Sequence, residues 1–241
     1  MEKDASHAHV ALRGVTKTYE EGQRRRAIFR DLHAHFARGE FAALMGRSGT
    51  GKTTLLNLIS GIDLPDSGEV ALDGTVLNRL PDRDRTLYRR RGIGFVFQFF
   101  NLIPTLTVEE NLLLPLELLA WPGGAARERV RAMLARVALE EREKAFPDRL
   151  SGGEQQRIAI ARALVHEPSL VLADEPTGNL DADTGREVLA LLAGLTRDGD
   201  KTLILVTHSA EAAALAERVL AIEDGQLLTR HTAPARGNRS A

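Results

Sequence analysis

The sequence predicts an α/β fold: a core with a mostly parallel sheet, an N-terminal antiparallel β subdomain and an inserted α-helical subdomain. Three observations carry that expectation. Short unbroken apolar runs at 41–45, 93–97, 170–173 and 202–207 have the continuous hydrophobicity of strands buried on both faces. Segments with helical spacing lie between them, and the stretch from about 99 to 165 is helical in pattern throughout. The first buried run also leads through a glycine-rich loop directly into a helix.

Taken in order, residues 10–19 read as a strand, 20–26 as a charged turn and 28–36 as a second strand, an early hairpin. Arg38-Gly39 turns the chain into the strand 41–45. A helix follows from Lys52 to Ser60, with Leu55, Leu56 and Ile59 on one side and Gly61 as its stop. Residues 69–72 and 75–77 flank Asp73-Gly74 as a short hairpin. Residues 82–91 form a charged helix whose Arg89-Arg90-Arg91 end reads as a solvated face. Thr107 and Glu110 make a capping box that opens an apolar helix, broken at 121–124, and Val130, Met133, Leu134 and Val137 mark the next. After the strand 170–173, Val188, Leu191, Leu192 and Leu195 share a helical face. Residues 202–207 form another buried strand, 218–222 and 226–228 flank Asp224-Gly225, and the polar tail from Thr229 to 241 reads as mobile.

Composition narrows the function classes. Lys+Arg 32 against Asp+Glu 33 gives a formal charge of -1, which provides no electrostatic footprint for nucleic acid. With no cysteine, neither a disulfide framework nor a thiolate metal site is available. The most apolar stretch, 112–121, is interrupted by Pro115 and Glu117 and is too short to span a bilayer. The pairs His7/His9 and His33/His35 have no carboxylate or cysteine pattern beside them, so surface histidines without a metal role are the expectation.

The chemistry concentrates at strand ends. Gly46, Arg47, Ser48, Gly49, Thr50, Gly51, Lys52, Thr53 and Thr54 complete a G-x-x-x-x-G-K-T loop between strand and helix. Its glycines let backbone N–H groups turn toward phosphate oxygens, and the helix N-terminus adds partial positive charge. Lys52 would neutralise the β- and γ-phosphates, and the Thr53 hydroxyl would ligate magnesium. Gln98, Asp174-Glu175 and His208 end the other buried runs, the side on which open α/β sheets bind ligands. Adjacent carboxylates after a buried strand repel unless a cation stands by, so Asp174 would hold magnesium and Glu175 would polarise the attacking water. A general base of that kind contributes about 10²- to 10⁴-fold. Finally, Leu150-Ser151-Gly152-Gly153-Glu154 opens a helix with a capping box but sets two glycines in its first turn, each costing about 1 kcal/mol relative to alanine. A phosphate approaching the backbone there would account for them, and a second anion site suggests a nucleotide shared between two subunits.

From about Val10 to Leu228 the chain resembles the ATP-binding subunit of an ABC transporter, on these motifs in this order. The resemblance implies a phosphate-loop NTPase core of RecA-like type that uses ATP and Mg2+. Tyr19 would stack on adenine, Gln98 would serve the metal and the reaction from the glutamine loop, Asp181 would lie in the D-loop and His208 would be the switch histidine. It further implies a head-to-tail dimer with two ATP molecules between the loop of one copy and Ser151 to Glu154 of the other. The Gly178-Asn179-Leu180-Asp181 form and the Gly94-to-Gln98 and Asn101-to-Thr107 stretches look like the lipoprotein-release and macrolide-efflux (LolD and MacB) branch. That branch implies an integral-membrane permease with a large extracytoplasmic domain, docked near Phe99, Phe100, Leu102 and Ile103. The chain would then sit at the cytoplasmic face of the inner (plasma) membrane. An FtsE-like cell-division ATPase transmitting force without transport is the alternative. A soluble ABC-type protein acting on DNA or ribosomes is disfavoured, since no sustained heptads separate Gln98 from Leu150. Ser209, where Asp is usual, would still cap the next helix.

Overall fold

The computed structural model describes residues 8–22 and 24–232, and the chain divides into two compact units: Met1–Arg79 with Ile204–Ala241, and Leu80–Leu203. In the first unit β1 (Ala8–Glu21) and β2 (Arg24–Ala37) form an antiparallel hairpin. With β4 (Ser67–Leu72) and β5 (Thr75–Val76) they make a four-stranded antiparallel sheet in the order β2-β1-β4-β5. One face is mostly apolar: Val10, Leu12, Val15, Phe29, Leu32 and Phe36 are buried, with Lys17 opposite Phe29 as a buried charge, and their alternation with polar neighbours is the strand pattern of a half-buried sheet.

The hairpin is longer than the charged stretch 20–26 suggested. The ladder runs on to Glu21 opposite Arg24, and the Glu20 carboxylate accepts from Arg25 at 3.3 Å across it, so the segment pairs and only its tip turns. The expected strand 75–77 stops at Val76, and Leu77–Arg79 forms a 3-10 turn. His9 corrects the surface reading of the histidines. It is buried on β1 with Nε2 3.5 Å from Asp73, and burial, partly opposed by Asp73, lowers its pKa. His33 and His35 are exposed, and His7 lies outside the described residues.

The rest of this unit builds around β3 (Phe41–Met45), which feeds α1 (Lys52–Ser60). Its strands run β10-β9-β3-β8, where β8 is Thr202–Val206, β9 Arg218–Glu223 and β10 Gln226–Thr232. β3 and β9 are parallel, and β9 and β10 form an antiparallel hairpin. The tail expected to be mobile from Thr229 is strand as far as Thr232, because each of these residues still has a ladder partner on β9 or a neighbour that does; positions 233–241 lie outside the described residues.

The second unit contains α2 (Asp82–Gly92), β6 (Ile93–Val96), α3 (Val108–Leu118), α4 (Gly123–Arg136), α5 (Gly152–Leu164), β7 (Leu170–Asp174) and α6 (Ala182–Asp198). β6 and β7 pair in parallel, Ile93 opposite Leu170 through Val96 opposite Ala173. Leu112 and Leu116 of α3, Val130 and Met133 of α4, and Ile158 and Ile160 of α5 are buried, as the helical spacing requires. His166, between α5 and β7, is half-buried, with both ring nitrogens shut off from solvent. Neither ring nitrogen has a partner in hydrogen-bond geometry, and burial drives its pKa down to about 4, with Lys201 adding to the shift and the Ile93 backbone opposing it.

Candidate nucleotide site

In the first unit the phosphate loop leads into α1, whose N-cap is Gly51, a residue with no side chain to offer as a cap, and whose first turn holds no acidic residue. The helices α3, α5, α6 and α7 (Ala210–Ala213) each carry a side-chain cap at Thr107, Ser151, Asp181 and Ser209. α2 and α4 also start without a side-chain cap, at Pro81 and Pro122, so it is the glycine-rich loop ahead of α1 that suits its N-terminus to an external anion. Gly51 has φ 105, and a Cβ there would lie 2.4 Å from Ile28 Cγ2, so neither the conformation nor the space admits another residue. Lys52 reaches back over the loop, donating to the Gly46 carbonyl at 2.7 Å and the Arg47 carbonyl at 3.0 Å. Thr50 closes on Arg47 through its hydroxyl, Ser48 and Thr53 are exposed, and Arg26 from the hairpin donates to the Gly49 carbonyl at 2.9 Å.

Tyr19, near the end of β1, is half-buried, and its hydroxyl donates to Asp63 at 2.5 Å and interacts with the Thr54 side chain. Burial and the Asp63 bond raise its pKa. His208 is exposed just past β8, where the Thr207 N–H donates to the Leu44 carbonyl on β3 and the Ser209 hydroxyl accepts from the Ala212 N–H. Ser209 therefore caps α7 as expected.

In the second unit Gln98, Asp174, Glu175 and the 178–181 turn cluster at one end of the β6–β7 pair. The Gln98 side-chain N–H donates to Asn179 Oδ1 at 3.4 Å, and Asn179 Nδ2 donates to the Gln98 carbonyl at 3.0 Å. Asp174 ends β7, and Glu175 takes a left-handed backbone, φ 46, in a turn closed by Gly178 N–H to Glu175 carbonyl at 3.0 Å. Such a conformation at a non-glycine residue stores backbone strain of the kind that collects at functional sites. Asp181 caps α6 by accepting from the Thr184 N–H at 3.0 Å, which also lowers its pKa.

The α5 N-terminus is a complete capping box. The Ser151 hydroxyl accepts from the Glu154 N–H, and Glu154 accepts from the Ser151 N–H at 2.8 Å, a bond that holds its carboxyl below the usual range. Its glycines have an intrachain reason as well. A Cβ on Gly153 would lie 2.5 Å from the Thr184 γ-methyl of α6, and one on Gly152 3.3 Å from Leu180. Close packing of the 180–184 segment on α5 thus requires at least Gly153 to be bare.

Several residues around these positions escaped sequence reasoning because their partners are distant in the chain. Besides Asp63 and Arg26 they include Arg142, which donates to Glu154 at 3.2 Å, and two side chains of α5 that grip the chain on either side of Gln98. Gln156 donates to the Phe97 carbonyl at 3.3 Å, and Arg162 to the Phe100 and Asn101 carbonyls at 3.1 and 2.7 Å. In the second unit the Gln98 amide and Asp174 carboxylate oxygens are hard donors of the kind magnesium takes, and in the first unit the Thr53 hydroxyl is a donor of the same kind. Among the described residues no group of three His, Cys, Asp or Glu stands together.

The family model of the ABC transporter matches residues 29–178. An uncharacterised ABC transporter ATP-binding protein of Mycobacterium tuberculosis is 53% identical over 91% of this chain and 88% of its own. The lipoprotein-releasing system ATP-binding protein LolD 2 of Rhodopirellula baltica is 42% identical over 96% and 93%. Among solved structures, the dimeric post-hydrolysis state of the ATP-binding cassette MJ0796 with ADP and phosphate superposes with a TM-score of 0.82 at 43% identity, covering 90% of this chain and 96% of that one. The uncapped phosphate loop, the capped signature helix and these relatives agree: the chain belongs to the ABC transporter family and is one of its ATP-hydrolysing, ATP-binding subunits.

Proposed function

We propose that two copies of the chain close head-to-tail on ATP and magnesium, and that this closure powers a membrane permease complex of the lipoprotein-release or macrolide- or peptide-efflux type. The observation that carries this reading is the presence in one chain of both an uncapped helix behind a phosphate loop and a second glycine-bearing helix start at Ser151. Gly46 to Thr54 hold the phosphates, Tyr19 stacks on the base, and Ser151, Gly152, Gly153 and Glu154 of the second copy face the same nucleotide. Asp174, Thr53 and Gln98 hold magnesium, whose charge stabilises the phosphates. Glu175 orients and deprotonates the attacking water, with Lys52, Gln98 and His208 around the γ-phosphate and Asp181 ordering the turn at the interface.

The relatives support the partner. LolD of Bordetella pertussis is 43% identical over 88% of this chain, and the chain matches 30% of the length of a macrolide export ATP-binding/permease protein MacB from Syntrophobacter fumaroxidans. Among the described residues no helix is long and apolar enough to cross a membrane, so in this reading a separate permease with a large extracytoplasmic domain spans it, with the chain at the cytoplasmic face of the inner membrane.

Glu175→Gln provides the test. The variant is expected to bind ATP as the parent does, lose turnover by about 10²-fold or more and accumulate as an ATP-bound dimer in size-exclusion chromatography. Full ATPase activity would remove Glu175 from the role of base. Co-purification with a permease bearing a large extracytoplasmic domain supports the transport reading; capture instead of a cell-division membrane protein with no cargo favours the FtsE-like alternative.

A further inference from the structure

Tyr19 is not a loosely hinged aromatic ring. Its hydroxyl is fixed at 2.5 Å on Asp63 Oδ2, in the turn that follows α1. The other carboxylate oxygen accepts from Lys17 Nζ at 2.7 Å and from the Leu64 N–H at 2.8 Å. Lys17 donates as well to the Leu64 carbonyl at 2.9 Å, and its ammonium lies 4.9 Å from the centroid of the Tyr19 ring. The same two segments are stitched twice more, Thr18 N–H to Asp66 at 2.7 Å and Asp66 N–H to the Thr16 carbonyl at 2.8 Å. Lys17 is buried, unusual for lysine, which makes the pair with Asp63 stronger than a surface ion pair.

Two consequences follow for the ring. A hydroxyl-to-carboxylate bond of this length is among the strong, charge-assisted ones, so the ring plane is set before any ligand arrives. A cation against one face leaves the opposite face to stack. We propose that Asp63 and Lys17 are positioning residues that hold Tyr19 as a one-sided platform for the base of the nucleotide, so that they set affinity for the base-bearing part of ATP and not for its phosphates. This rests on the reading of Tyr19 as the base platform.

The pre-set ring removes the ordering cost of one side chain, so its loss should weaken ATP binding by about threefold to tenfold. The experiment compares MgATP with magnesium tripolyphosphate, which has the phosphates and no base, by titration calorimetry on the full chain, together with steady-state ATPase kinetics. For Asp63→Ala and Lys17→Met the expected result is a KM for ATP raised about threefold to tenfold, kcat within about twofold of the parent, and unchanged tripolyphosphate affinity. Asp63→Asn, which still accepts from the hydroxyl, should recover most of the loss. A parallel fall in tripolyphosphate affinity would mean that Asp63 merely supports α1 and would overturn the proposal, as would an unaltered KM for ATP in both variants. Tyr19→Ala separates the two levels. If it leaves ATP affinity intact, the platform reading itself fails; if it weakens ATP while Asp63→Ala does not, only the positioning inference fails.

Discussion

His166 is expected to make the fold sensitive to acid, as is His9, whose pKa burial also lowers. The pKa of His166 is about 4 when folded against 6.5 as the ordinary value, so between those two values the unfolded chain binds a proton that the folded chain excludes. Stability is therefore undiminished above about pH 6.5, falls as pH drops through this window, and is reduced by up to about 3 kcal/mol below it. Urea unfolding at pH 7.5 and pH 4.5 should show a smaller acid loss in His166→Asn than in the parent; equal losses would assign the acid sensitivity elsewhere. Residue by residue, the local geometry was legible where a motif is short. Lys52 and the loop glycines fall where the spacing put them, and Ser151 with Glu154 forms the box that a three-residue interval announces. Gly153 was harder to read: a bare first-turn position looks the same whether a phosphate or the Thr184 methyl needs the room, and the structure supplies the second reason.

At the level of elements, α5 has the most consequential placement. Its N-terminus carries Ser151, and two of its buried or half-buried side chains hold the backbone before and after Gln98. The turn so held exposes Phe99, 68% accessible, the most exposed of the large hydrophobic side chains among the described residues. Within the transport reading, Phe99→Glu is expected to abolish most stimulation of ATPase activity by the co-purified permease while ATP binding is retained; undiminished stimulation would place the docking surface elsewhere. The capping boxes of α3 and α5 were readable because both partners sit within one turn. Strand ends were not, since the extension of β1 and β2 depends on charges that meet only across the ladder. Asp63 was invisible for the same reason, lying 44 residues from the hydroxyl it holds.

For the molecule as a whole, apolar runs and helical spacing announced an α/β chain with an antiparallel N-terminal sheet, and that is the architecture found. They could not announce strand order, because continuous apolar runs such as β3 and β8 carry no register of their own. The parallel pairing of Ala42 to Met45 with Arg218 to Ala221 joins the beginning of the chain to its end. That pairing gives the protein a direction in time. During synthesis the unit 80–203 is complete in sequence before the residues that flank β3 on its β9 side have left the ribosome. A chain cut after residue 203 should thus bind no ATP although every residue of the phosphate loop is present, which titration with MgATP would show; retained binding would mean that β3 holds its loop without β9. Nucleotide binding would thereby wait for the last strands of the sheet, and a copy cut before them would be expected to hold neither ATP nor a full-length partner.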